Sequence, residues 1–378
     1  MLTQNRELIH GLFPQEIDLG NEPAYRRAQI LEWLYRHRTR DFSQMKNLPV
    51  PLRTRLAEKY SAEHLPCVRE QGSADTTRKF LWQLPTGDYV ESVLIPASPG
   101  ADGRRADRRT LCVSSQVGCA YGCRFCASGL DGWKRHLSAA EIVLQVLSAQ
   151  SISGQRVDHI VFMGMGEPLA NLDNVLKAIT ILNAPWGMGI AARNITVSTS
   201  GLVKKISELA RQPLQIELAI SLHGPDNETR EKIMPINKKH PVEELIAACR
   251  DYQAHKKRRI TFEYILIEDI NSSQEHARRL ARLIRGIDAK VNLIPYNTVP
   301  GLEWKRPNDD VCKKFAKILR EHSITCTIRL EKGHDIAAAC GQLRLQKFLD
   351  EKQPNAPYAL KAPAKSTDPP PVGAPALV

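Results

Sequence analysis

The apolar positions of this chain follow two periods, and the change from one to the other organises the sequence. From about residue 110 onward, short apolar runs at 110–115, 158–163, 194–198, 216–221, 260–267, 290–295 and 325–330 read as strands. Between them, apolar residues recur at helical spacing over 138–153, 171–183, 201–212, 241–258, 273–285 and 308–322. Repeated βα units predict a parallel sheet with helices laid on it. Six or seven units fall short of the eight that close a full barrel, so the pattern predicts an α/β core, a partial (β/α)6-type barrel.

Before this core the pattern differs. Residues 22–39 predict an amphipathic helix: Pro23 suits a first turn, Ile30, Leu31, Leu34 and Tyr35 form the apolar stripe, and Arg26, Arg27 and Arg36 lie off it. A second helix is predicted over 51–60, basic at Arg53, Arg55 and Lys59. Lys79–Leu84, a Pro85-Thr-Gly turn and Asp88–Ile95 then read as a hairpin. Its alternation sets Glu91 on one face with Tyr89, Val93 and Ile95, so this carboxylate either reaches solvent or is held for proton transfer. The expected organisation is a helical accessory domain over 1–75, a hairpin extension over 76–100, the barrel core over 101–350 and a tail over 351–378. The Pro- and Ala-rich composition of that tail predicts disorder.

Charge adds a partner class. The 53 Lys and Arg against 41 Asp and Glu give a net charge of +12, which suits a polyanion or a merely solubilising surface. Two helices with a basic face are of the kind that meets a phosphate backbone. Nine cysteines, an odd number without framework spacing, indicate reduced thiols in a reducing compartment. The N-terminus lacks an apolar leader and no run approaches the roughly 18 apolar residues of a membrane span, so the expectation is a cytoplasmic protein without a membrane partner.

Three of the cysteines carry the chemistry. Cys119, Cys123 and Cys126, spaced C-x3-C-x2-C, can hold one iron–sulfur cube and leave its fourth iron without a protein ligand. That spacing is the mark of radical S-adenosylmethionine (SAM) enzymes. A structural zinc site normally takes two close pairs, and no C-x2-C pair partners this triad. Polar and glycine-rich pieces follow four of the predicted strands: Met163-Gly-Met-Gly-Glu-Pro, Ser198-Thr-Ser-Gly, Ser221-Leu-His and Pro295-Tyr-Asn. C-terminal strand ends form the active face of (β/α) barrels. Gly164 and Gly166 let backbone approach a ligand, Glu167 can receive an ammonium group, and Ser198 and Asn297 can bond a carboxylate or ribose. His223 stands at the same rim, either as a structural hydrogen-bonder or as a ligand contact. Cys67, Cys249, Cys312 and Cys326 lack motif context and are expected to be buried or inert, while Cys112 lies on the first barrel strand and Cys340 just beyond the last.

Over roughly residues 5–345 the chain resembles the RlmN family of radical SAM methyltransferases, which methylate carbon 2 of adenosine in 23S rRNA and tRNA. The matching blocks are Tyr89-Val-Glu-Ser-Val-Leu-Ile-Pro, Leu111-Cys-Val-Ser-Ser-Gln-Val-Gly-Cys with the triad, Gly164-Met-Gly-Glu-Pro-Leu, Ser198-Thr-Ser-Gly, Ser221-Leu-His, Met234-Pro-Ile-Asn-Lys-Lys, Asn292-Leu-Ile-Pro-Tyr-Asn and Ala339-Cys-Gly-Gln-Leu. Asn47–Arg55 resembles the family's accessory helical domain. The resemblance implies a radical SAM type of partial barrel, one 4Fe–4S cluster on Cys119, Cys123 and Cys126, and two SAM molecules per turnover. It implies that Cys340 carries a methyl group to RNA, that Glu91 is the general base and that Cys112 resolves the RNA–protein adduct as a transient disulfide. It further implies SAM contacts from Gly166, Glu167, Ser198, Ser221, Leu222, His223 and Asn297, a reductase such as flavodoxin, and a monomer.

Other readings stay open at this level. The related Cfr branch, which methylates carbon 8, tends to carry Gly-Glu-Ala, Ser-Thr-Ile-Gly and Asn-Leu-Ile-Arg where this chain has Gly166-Glu-Pro, Ser198-Thr-Ser-Gly and Asn292-Leu-Ile-Pro. An iron–sulfur RNA-binding protein without catalysis would account for charge and triad, but not for Cys112, Cys340 and the rim motifs together. A glycyl-radical activase would share the triad and have no need of Cys340. Ala127-Ser-Gly after the triad and the Pro-rich tail depart from the family pattern.

Overall fold

The structure, a computed structural model, describes residues 6–97, 108–129, 132–297, 304–329 and 336. At the N-terminus β1 (Glu7–Leu8) pairs in parallel with β2 (Tyr60–Ser61), enclosing helices α1 (Arg26–Tyr35) and α2 (Val50–Lys59). The predicted stripe of α1 is buried at Ile30, Leu31, Leu34 and Tyr35, and α2 buries Leu52 and Leu56. Several of the basic side chains serve the module itself. Arg26 donates to the carbonyl of Asn47 at 2.9 Å, Arg53 to that of Ser43 at 2.6 Å, Arg27 to that of Ile17 at 3.4 Å and Arg55 to that of Leu19. The cationic face is therefore smaller than the sequence suggests, with Arg36, Arg40, Lys46 and Lys59 left exposed.

The core is one ten-stranded sheet. Its antiparallel part comprises β3 (Cys67–Gly72), β4 (Arg78–Gln83) and β5 (Tyr89–Pro96), the predicted hairpin with one more strand at its edge. β5 pairs antiparallel with β6 (Arg109–Cys112), where the direction changes. A separate two-stranded pair, β7 (Gln116–Gly118) and β8 (Trp133–His136), brackets the cysteine loop. From β6 the sheet runs in parallel through β9 (His159–Phe162), β10 (Ile195–Thr199), β11 (Glu217–Ser221), β12 (Ile260–Leu266), β13 (Ala289–Pro295) and β14 (Thr325–Ile328). With β14 at one edge and β3 at the other, the sheet stays open, as six βα units require.

The crossovers are α3 (Ala139–Ser153), α4 (Leu172–Asn183), α5 (Val203–Ala210), then α6 (Asn227–Ile233) with α7 (Val242–Lys256), α8 (Gln274–Leu283) and α9 (Asp309–Glu321). Local chemistry explains their limits. Ser138 caps α3 by accepting from Glu141 N, and Gly154 ends it in the left-handed conformation. Ser273 and Asn308 cap α8 and α9 in the same way. Among the described residues no helix is long and apolar enough to cross a membrane.

Paired residues in neighbouring strands put their side chains on the same face, which separates the sheet into two unlike surfaces. Toward the helices point Leu111, Ile160, Val197, Leu218, Phe262 and Val291, each at most 1 % exposed and part of one continuous core. Toward the other face point Lys79, Glu91, Cys112, Ser198, Ser221, Glu263, Asn292 and Thr327.

Candidate active site

The cysteine loop leaves the C-terminal end of β6, and backbone bonds shape it. Cys119 N donates to Gly132 O at 3.0 Å and Cys126 N to Cys123 O at 3.0 Å. Gly118, at φ 73°, lies so close to Gly132 that a Cβ would fall 1.9 Å from its carbonyl oxygen. Only glycine fits there. Arg124 N donates to Ile233 O at 3.0 Å, while Cys123 and Phe125 pack on Ile233, Met234, Ile265 and Tyr296. Burial raises the Cys119 thiol to about 11 and pushes Cys123 higher still, and Cys126 adds like charge to both. Uncomplexed, these thiols keep their protons; bound to iron they would lose them, as ligating thiols do. No three His, Cys, Asp or Glu side chains among the described residues close on a single-ion site. A half-buried loop of three mutually interacting thiols in an apolar wall fits a cluster, which spreads its ligands more widely than one zinc ion.

Beside the loop stands the Gly-Glu turn after β9. Gly166, at φ 96°, packs on Gln116, whose Cβ would lie 2.5 Å from any Cβ added there. Gln116 Oε1 accepts from Glu167 N at 2.7 Å, and Met165 N donates to Ser114 Oγ at 2.9 Å. Asn171 Nδ2 donates to the carbonyls of Ser115 and Leu137 at 2.8 and 2.7 Å. The turn is thereby fastened to the strand that carries the triad. The Glu167 carboxylate accepts from Leu169 N at 3.0 Å and Ser200 N at 2.7 Å, and burial raises its pKa against those bonds. It is thus a carboxylate already engaged by backbone, whose charge is felt at Cys119, Tyr121 and Cys123.

Register brings Glu91 and Cys112 together. Cys112 is directly opposite Val93, so Glu91, two residues along β5, shares its face on the adjacent strand. Glu91 is 4 % exposed, with Lys79 Nζ 4.0 Å from Oε1, which removes the solvent-reaching alternative. Ser198, at the end of β10, points to the same face and is 8 % exposed. Cys340 lies outside the described residues. Cys249, Cys312 and Cys326 are buried as expected, whereas Cys67 is half-exposed.

Ser221 ends β11, and Leu222 and His223 follow it. His223 takes φ 57°, a left-handed conformation for which its carbonyl is held by Asn271 Nδ2 at 2.8 Å. Its Nδ1 accepts from Ile265 N at 3.0 Å, and its ring meets Phe125 edge-on at 4.7 Å. Burial, and then Arg230, lower its pKa to about 3. The ring is therefore neutral, with the proton on Nε2. Among the described residues, the buried Asn297 Oδ1 has no hydrogen-bond partner.

Two side chains of this site, Arg230 and Asn271, escape sequence reasoning: both are buried polar groups whose partners only the fold brings to them, and the Met234-Pro-Ile-Asn block beside Arg230 merely hinted at that neighbourhood. Gln116 lies within the matching block 111–119, but nothing there pointed to its bond with Glu167.

An open parallel barrel with a three-thiol loop after its first parallel strand and a Gly-Glu turn after its second defines a radical SAM enzyme. The family model of the Radical SAM superfamily matches residues 113–281, and that of the ribosomal RNA large subunit methyltransferase N-terminal domain matches residues 12–61. The chain is 52% identical over 323 residues to the Akkermansia muciniphila protein named "Probable dual-specificity RNA methyltransferase RlmN", covering 85% of this chain and 90% of that one. It is 45% identical over 341 residues to the dual-specificity RNA methyltransferase RlmN of Desulfosudis oleivorans, covering 89% and 90%. A crystal structure of a radical SAM methyltransferase from Sphaerobacter thermophilus superposes with a TM-score of 0.83 at 42% identity, covering 89% of this chain and 98% of that one. The chain belongs to the RlmN family of dual-specificity RNA methyltransferases. Membership implies a 4Fe–4S cluster, SAM and an RNA substrate.

Proposed function

We propose that this enzyme methylates carbon 2 of adenosine in 23S rRNA and in tRNA, with Cys119, Cys123 and Cys126 holding the cluster. The observation that carries the reading is the shared face of Glu91 and Cys112, one strand apart, beside the cysteine loop. An amidine carbon has no nucleophilic lone pair, so it cannot attack a sulfonium methyl; the transfer needs a carrier and a way to release it. When bound, cluster and two molecules of SAM supply the methyl group and the one-electron chemistry that activates it.

The chain's own residues do the rest. The Cys340 thiolate accepts the methyl and presents it as a thioether, which becomes a methylene bridge to the adenine. Glu91 takes the proton from carbon 2 within an enclosed site, where water does not compete. The Cys112 thiolate attacks the Cys340 sulfur; the sulfur–sulfur bond forms as the carbon–sulfur bond breaks, and the released carbon is protonated to a methyl group. Gly166, Glu167, Ser198, Ser221, Leu222, His223 and Asn297 receive SAM. In that role Glu167 acts through fixed geometry, and neutral His223 offers its Nε2 proton. A flavodoxin-type reductase supplies electrons, and the accessory helices present the RNA. The domain limits at 75, 100 and 350, and a monomeric cytoplasmic enzyme, belong to the same reading. Nucleoside analysis of rRNA and tRNA from cells with and without the gene tests it: 2-methyladenosine should vanish with the gene, and 8-methyladenosine alone would overturn the assignment.

A further inference from the structure

Arg230, on α6, is the largest charged side chain fully enclosed among the described residues, at 0 % exposure. No carboxylate among the described residues pairs with it. Its Nε donates to Leu222 O at 3.1 Å, Nη1 to Asn237 Oδ1 at 2.9 Å, and Nη2 to Ser200 O at 2.5 Å and Ser221 O at 3.4 Å. One planar group thus gathers three carbonyls from the ends of β10 and β11. The space is made for it: a Cβ on Gly224 would lie 2.7 Å from Arg230 N, and one on Gly201 would lie 3.2 Å from Nη2. The following residues of α6 reach the cysteine loop, through Arg124 N to Ile233 O and through the packing of Cys123 and Phe125 on Ile233 and Met234.

An enclosed cation with no carboxylate partner among the described residues is costly, and an apolar residue of similar volume would often be as stable or more so. Burial lowers even this guanidinium to about 10. What a neutral residue could not supply is a rigid fork of five donors aimed at separate loops, which lysine also lacks. We propose that Arg230 is a positioning residue for the cofactor: it fixes the strand ends so that Ser198, Ser221 and His223 stand where SAM is received, and α6 ties that arrangement to the cysteine loop. This rests on the SAM contacts proposed above.

The test uses anaerobically reconstituted holoenzyme. Arg230→Lys keeps the charge and loses the fork. Asn237→Ala removes the Nη1 acceptor, together with the amide's own bond to Asn227 Oδ1, and leaves the Arg230 bonds to the carbonyls. Iron per chain, SAM affinity by calorimetry, and the SAM-dependent change in the electron paramagnetic resonance of the reduced cluster are measured together. Arg230→Lys should hold wild-type iron, bind SAM at least tenfold more weakly, and need correspondingly more SAM for the spectral change. Asn237→Ala should weaken SAM binding at least threefold, a readout that remains if Arg230→Lys does not fold. Iron-loaded variants that both bind SAM within twofold of wild type would overturn the role of Arg230 alone. Wild-type holoenzyme that bound no SAM would instead sink the proposed contacts.

Discussion

The two faces of the parallel sheet are built from alternate residues of the same strands, yet they obey different rules. In β10 and β11, Val197 and Leu218 point to the helices and are sealed in the core, while Ser198 and Ser221 point the other way. One row of the second face runs Ser221, Glu263, Asn292 and Thr327 across four strands in register, with Thr327 Oγ1 donating to Asn292 Oδ1 at 3.2 Å and Asn292 Nδ2 to Glu263 Oε2 at 2.8 Å. Strands buried on both faces normally read as near-continuous apolar runs. Polar residues on one face forgo apolar burial there, so the helix-facing side supplies most of the apolar burial that holds the fold.

That division can be broken by experiment. The largest effect belongs to the rim: Cys126→Ala should lose cluster iron and all release of 5′-deoxyadenosine, checked by iron assay and chromatography. Leu218→Ala, on the helix side, should cost about 3 kcal/mol by the usual penalty for emptying a core position, read from denaturant unfolding, with SAM affinity of the loaded enzyme within twofold of wild type. Ser198→Ala, on the opposite face, should change stability by less than about 1 kcal/mol and weaken SAM binding several-fold. If Leu218→Ala harmed SAM binding as much as Ser198→Ala, the two faces would not be functionally separate.

The smallest effect depends on pH. Burial holds the Glu263 carboxyl above its ordinary 4.5, against Arg329 and the Asn292 bond. The folded form therefore binds this proton more tightly than the unfolded chain, and stability falls as pH rises from 4.5 through the raised value. Glu263→Gln should melt higher than wild type at pH 7.5, with the gap closing toward pH 4.5. A gap independent of pH would show that Glu263 is not strained by its burial.

Each predicted strand and helix of the barrel forms, because short apolar runs bounded by turn residues alternate with longer stretches of helical period. The short pair β7 and β8 was not legible: three and four residues are too few to show a period, and they close across the cysteine loop. β3 was missed as well, since its residues are mostly exposed and polar at the sheet edge. Basic residues of α1 and α2 read as a surface charge, although several bond carbonyls, because sequence shows a side chain's charge but not its partner.

By itself the sequence determined the element order, the open barrel, the three-cysteine loop and the rim motifs, since each rests on spacing within a short stretch of chain. Only the tertiary structure decided that Glu91 is enclosed beside Lys79, that it shares a face with Cys112, and that Arg230 gathers the strand ends. Those facts depend on register and on contacts between residues far apart in the chain, where burial rather than local pattern sets the energy.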